Sequence, residues 1–205
     1  GNIDDDGFDA TDELENQKLI FVGMRRGGRS LYAFDVSDPN EPPDLLWKKG
    51  CDDSGCSDPN EPTADPTWAD IGQTWSPANV AFLAGETNPL LVMGGGYDTC
   101  EDTDTGTGGA NHSCTSSNTG DHIYVIDGYT GELLAELDTL RAVPGAVTLV
   151  PTSEPTEVLP NPPLQYAYAA DTGGNVYRIS AADGAPLTAS GVTVDPSDWV
   201  ITRIA

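Results

Sequence analysis

Apolar and polar positions alternate along this chain in short runs with a period of two, and the 3.6-residue period of an amphipathic helix is nearly absent. Gly, Pro and Asp clusters separate the runs, as they separate short strands. Three stretches share one plan: "GRSLYAFDVSDPNEPPDLLW" (28–47), "GDHIYVIDGYTGELLAEL" (120–137) and "GGNVYRISAADGAPLTAS" (173–190). Each opens on Gly and continues as an alternating strand centred on Tyr32, Tyr124 or Tyr177. Asp35, Asp127 or Ser180 follows three residues later, then a turn and a second strand. An apolar strand precedes each unit, "KLIFVGM", "NPLLVMGGG" or "LQYAYAAD", and "WSPANVAFL" and "VPGAVTLV" lie ahead of the last two.

Four short antiparallel strands per unit, recurring at roughly 40–50 residues, are the mark of propeller blades. A β-sandwich would leave the repeated Tyr-x-x-Asp phrase unexplained. The expected fold is therefore all-β, a β-propeller segment of about three four-stranded antiparallel blades over 17–205. Residues 18–47 make a partial blade, 75–138 a complete one with an inserted loop at 98–119, and 143–190 a second partial one. The stretch 191–205, ending "WVITRIA", reads as the start of a next blade, and 48–74 as an acidic, cysteine-bearing loop. Closed propellers have about four to eight blades, so these are expected to belong to a larger ring.

Charge narrows the partners. The chain has 33 acidic and 9 basic side chains, a formal charge of −24. Such a field repels phosphate backbones and anionic lipid surfaces, which argues against nucleic acid and membrane headgroups and in favour of cations. The acid gathers in 1–16, 51–70 and 98–121, each without Lys or Arg, while the intervening segments are apolar. That is the pattern of acidic loops on an apolar scaffold. Cys51/Cys56 and Cys100/Cys114 form two local pairs in these loops, which reads as two short-range disulfides of an exported protein. A zinc site is the competitor, but no CxxC spacing occurs and the surrounding oxygens are hard ligands. No apolar run is long enough to span a bilayer, so membrane insertion is not expected. The first residues do not read as a signal peptide, which suggests an internal or processed part of an exported protein.

Five phrases in fixed order, "FVGMRRGGRSLYAFDVSDPNEP", "GQTWSPANV", "LLVMGGGYDTCED", "IYVIDGYTGELL" and "YAYAADTGGNVYRI", resemble the C-terminal propeller of the PilY/PilC-type proteins of type IV pilus tips. The resemblance covers about residues 14–180. It implies a calcium-binding, quinoprotein-like propeller at the pilus tip or cell surface, outside the cell. It also implies a role in pilus assembly, retraction control and adhesion, minor pilins or other proteins as partners, and no catalytic chemistry.

The main candidate site is the N-terminal "NIDDDGFDATDE", which can be laid on the calcium-loop pattern D-x-[DN]-x-[DN]-G-x5-E. Asn2, Asp4 and Asp6 take the first three ligand positions, and Gly7 makes the turn. Phe8 offers its carbonyl, and Glu13 closes the loop as a bidentate ligand. Ca²⁺ takes six to eight hard oxygens, which this alternation supplies around one ion. Asn2 is neutral where Asp is usual, and Ala10 leaves its position to water or backbone. A second candidate lies in "YDTCEDTDTGTGGANHSC", where Asp98, Glu101, Asp102 and Asp104 cluster without regular spacing. The competing reading there is a solvated loop stapled by Cys100–Cys114.

Other motifs carry less. His112 and His122 read as ordinary exposed histidines. "RRGGR" (25–29) falls between two strands, and the net charge opposes an RNA-binding reading; its arginines are expected to pair with acidic loops or a partner. "MGGGYD" lacks the P-loop Lys, and no Ser/His/Asp set can be assembled. Tyr32, Tyr124, Tyr177, Trp47 and Trp75 are expected to pack the blades. The sequence thus reads as a non-catalytic, calcium-binding propeller. Its rivals are a quinone-dependent dehydrogenase, which shares the "YVIDGYTGELL" type of phrase, and a metal-free interaction propeller.

Overall fold

The computed structural model describes residues 17–51, 66–86, 88–103 and 118–205. The architecture is all-β, and the helical elements among the described residues are short 3-10 turns. The first sheet is a meander of β1 (Leu19–Gly23), β2 (Arg29–Asp35) and β3 (Asp44–Cys51). The middle sheet is β4 (Asn79–Ala81), β5 (Leu90–Gly94), β6 (His122–Asp127) and β7 (Leu133–Asp138), in that spatial order. The third is β8 (Thr148–Pro151), β9 (Leu164–Ala170), β10 (Val176–Ser180) and β13 (Val200–Arg203). Between β10 and β13 stands a separate hairpin of β11 (Thr188–Ala189) and β12 (Val192–Thr193). All pairings are antiparallel, as expected for a propeller-like array of meanders.

In the first two units the carboxylate of the Tyr-x-x-Asp phrase organises the turn out of the alternating strand. Asp127 Oδ1 accepts the Tyr129 amide at 2.9 Å, the Thr130 amide at 2.8 Å and the Thr130 hydroxyl at 3.1 Å. Asp35 Oδ1 does the same for the amide and hydroxyl of Ser37, at 2.8 and 2.5 Å. Ser180 has no carboxylate to offer, and its hydroxyl donates instead to the Ala181 carbonyl. There the chain leaves the sheet for the β11–β12 hairpin before returning. This corrects the expectation for the C-terminal stretch: Val200–Arg203 does not open another blade but pairs with β10, with Ile179 opposite Ile201. The 48–74 loop is corrected too, because Lys48–Cys51 belong to β3, with Lys48 opposite Tyr32 and its ammonium 5.8 Å from the ring centroid.

Strand alternation divides the core in two. Leu90, Val92, Ile123 and Val125 face the third sheet and pack with Leu164, Ala167, Ile179 and Trp199. Leu91, Met93, Tyr124 and Ile126 face the first sheet and pack with Leu31, Ala33, Trp47 and Trp68. Burial of such side chains stabilises by about 1.5–3 kcal/mol each. Polar links tie the sheets as well: Trp47 Nε1 donates to the Gly128 carbonyl at 3.1 Å, and Asn79 Nδ2 to that of Val147 at 2.7 Å. The turn that receives Trp47 needs glycine. Gly131 has φ +70°, and a Cβ there would lie 2.7 Å from Trp47 Cδ2.

Candidate functional site

The calcium loop expected at Asn2, Asp4, Asp6, Phe8 and Glu13 lies outside the described residues. Of the second candidate, Asp98, Glu101 and Asp102 are described and Asp104 is not. They sit where the chain leaves β5 through a short 3-10 turn (Thr99–Thr103), and each is drawn to a different partner. Buried Asp98 accepts the Cys100 amide at 2.9 Å, an Asx turn that closes the segment on itself. Glu101 turns towards the third sheet, accepting the Thr172 hydroxyl at 3.1 Å with Arg141 Nη1 at 3.9 Å. Asp102 turns towards the first sheet, pairing with Arg26 at 3.1 Å and accepting the Tyr97 hydroxyl at 3.1 Å. Burial and then the Asp102 bond push the Tyr97 phenol up.

These three carboxylates diverge instead of converging. Among the described residues, no group of three or more His, Cys, Asp or Glu side chains is arranged to hold a metal ion. Through these contacts the segment bonds residues on both sides of the middle sheet. Cys51 and Cys100 are not free thiols, while Cys56 and Cys114 lie outside the described residues.

A second acidic group, which the spacing did not single out, surrounds His122. Against expectation this histidine is largely buried, its side chain only 13 % exposed. Its Nδ1 lies 3.0 Å from Asp121 Oδ1, and its Nε2 lies 3.4 Å from Asp138 and 3.7 Å from Glu136. The register explains the convergence: His122 faces Asp138 and Tyr124 faces Glu136 across the β6–β7 hairpin. Trp68, from the turn that also carries Asp70, covers Tyr124 with ring centroids 5.2 Å apart.

The electrostatics follow from that crowding. Burial pushes the Asp121 carboxyl up, with Asp70 and Asp138 adding to it and His122 opposing. Burial likewise raises Glu136, again with Asp70 and Asp138 adding to it and His122 opposing. The fully buried Tyr124 phenol is pushed up by burial and then by Glu136, Asp70 and Asp121. The result is a half-buried carboxylate patch around a single imidazole, able to receive positive charge. Its sequence signal is the alternation of "DHIY" against "ELD", readable once the hairpin register is known.

No protein-family model matches the chain, and no curated protein matches it in sequence. A solved structure does match in fold: the C-terminal domain of PilY1 from Pseudomonas aeruginosa, with a TM-score of 0.55 and 22 % identity. The match covers 91 % of this chain and 32 % of that one, so this chain spans about a third of that structure. The meandering sheets are therefore similar to a segment of the PilY1 C-terminal domain, and this likeness, together with the strand order, establishes a β-propeller-like fold.

Proposed function

We propose that this chain is a non-catalytic, calcium-binding propeller segment of a secreted or cell-surface protein that supports type IV pilus biogenesis and adhesion. The observation that carries the reading is the likeness of 91 % of the chain to the PilY1 C-terminal domain, in agreement with five ordered sequence phrases. Calcium is assigned to Asn2, Asp4, Asp6, Phe8 and Glu13 on the strength of their spacing. Binding there neutralises carboxylates that otherwise repel one another and orders the segment ahead of β1, which couples ion concentration to assembly or attachment. Cys51–Cys56 and Cys100–Cys114 close the two acidic loops as disulfides in this reading, and the partners are minor pilins or other proteins at the cell surface.

Calorimetric titration of the folded protein with Ca²⁺ tests the metal assignment. Saturable heat at or below millimolar calcium, lost on Asp4→Ala plus Asp6→Ala, is the expected result. A folded protein that gives no heat in that range refutes it.

A further inference from the structure

The arginine motif at 25–29 has three members with three different fates. Arg26 pairs with Asp102, and Arg29 donates to the carbonyls of Ala69 and Ile71. The Arg25 side chain meets no carboxylate among the described residues and lies over the Trp75 ring, 5.6 Å from its centroid. Among the described residues Arg29, Arg178 and Arg203 likewise show no carboxylate partner, but Arg25 alone of these lies over a tryptophan ring. Arg25 is also one of three non-glycine residues among those described with positive φ, at +50°, a conformation that surrounding bonds must enforce.

Those bonds come from the facing 72–76 loop. Met24 N donates to Thr74 Oγ1 at 2.7 Å, Arg25 N to the Thr74 carbonyl at 3.2 Å, and Thr74 N to the Gly28 carbonyl at 3.2 Å. Gln73 accepts the Trp75 indole N–H at 3.3 Å and donates to the Arg26 carbonyl at 3.4 Å. The two loops therefore form one braced platform. It displays Arg25 beside Trp75 and Met24, which are 37 % and 41 % exposed. Arg, Trp and Met are the residues enriched at protein–protein contacts, and a pre-ordered loop loses less entropy on binding.

We propose that the Arg25–Trp75–Met24 platform docks a protein segment that offers a carboxylate beside an aromatic or aliphatic side chain. The carboxylate takes the open edge of the guanidinium, and the apolar neighbour covers Trp75 and Met24. Charge complementarity sets the orientation. The −24 field opposes an acidic segment over the chain as a whole, so the contact rests on short-range pairing at Arg25, within a screening length of about 8 Å at physiological salt. The site owes nothing to the calcium loop, so it is tested with chelator present and stands or falls separately.

The probe is a short labelled peptide of alternating acidic and aromatic residues, with its Gln-for-Glu counterpart as control, followed by fluorescence anisotropy. The acidic peptide is expected to bind the full chain, and Arg25→Gly and Trp75→Leu to weaken it by about tenfold or more. Arg203→Ala, which removes an exposed arginine bonded to Asn175, is expected to leave binding unchanged. Arg25→Gly also guards against misfolding, since glycine adopts the +50° φ without strain and its melting temperature should not fall. The proposal is overturned by no binding at about 1 mM peptide, by equal binding of the Gln peptide, or by Arg25→Gly matching Arg203→Ala. Equal competition by an oligothymidylate would overturn it as well, by showing a general anion site.

Discussion

The first and middle sheets are written with nearly the same strand, yet one face of the first meets solvent and both faces of the middle are covered. In β5 and β6, Leu91, Val92, Met93, Ile123, Val125 and Ile126 are all 0 % exposed. In the first sheet, Phe21, Leu31 and Ala33 point into the core, while Ile20 and Val22 are each 43 % exposed and Leu45 46 %. Tyr32 and Phe34 lie on that outer face, with centroids 6.2 Å apart, opposite Val22 and Ile20. Continuous apolar strands such as "LIFVG" and "LLVMG" are the composition of sheets covered on both sides. The difference teaches that neighbours, not local pattern, decide what an apolar position contributes, and that the outer face of the first sheet is a sizeable apolar patch.

The sharpest way to break the symmetry is a pair of truncations measured by urea unfolding. Leu91→Ala leaves a cavity in a closed site and should cost about 2–5 kcal/mol. Val22→Ala removes half-solvated methyls and should cost well under about 1 kcal/mol. Equal costs would show that the outer face is as fully packed in solution as the inner one.

A smaller effect tests how tightly the two sheets are joined. Gly131→Ala adds a methyl at φ +70°, 2.7 Å from Trp47 Cδ2 and 2.9 Å from Lys49 Cε, at the junction of the middle and first sheets. Gly174→Ala has a similar φ, +82°, with nothing within 4 Å. The second should cost about 1 kcal/mol from backbone strain alone, and the first about 1–2 kcal/mol more from displacing Trp47. Equal losses would mean that Trp47 yields freely and the junction is loose.

Much of this comparison was legible beforehand, because alternation, the Tyr-x-x-Asp phrase and the spacing of turns are local properties. Asp127 and Asp35 sit three residues after their tyrosines because the carboxylate must reach the amides of the next turn. At the third unit Ser180 offers no such cap, and the chain runs through the 188–193 hairpin before β13 pairs with β10. Lys48 and Lys49 read as loop because their charge hides an edge strand; Lys48 folds its ammonium over Tyr32. Asp98, Glu101 and Asp102 are neighbours in sequence, while in space the Cys100 amide, Thr172 and Arg26 each engage a different one of them. His122 is the reverse case. Its partners Glu136 and Asp138 are distant in sequence and adjacent only through strand register.

That patch gives the smallest and most pH-specific test, since it lies on the face of the middle sheet turned towards the first. Asp121 and Glu136 are raised in the folded state, so folding disfavours their charged forms. Their contribution to stability is whole below the ordinary carboxylate range, near about 4, and is lost as pH rises through the raised folded values. At neutral pH the patch therefore opposes folding, and neutralising one member should help. Glu136→Gln is expected to raise Tm at pH 7 by the order of a degree, since solvent screens a half-exposed group. The gain should vanish near about pH 3–4, where the native carboxyl is protonated in both states. Asp138→Asn, whose side chain is 90 % exposed, should change Tm less at either pH. A Glu136→Gln protein less stable than the parent at pH 7 would show that Glu136 is held in place by His122 more strongly than it is opposed by burial, Asp70 and Asp138.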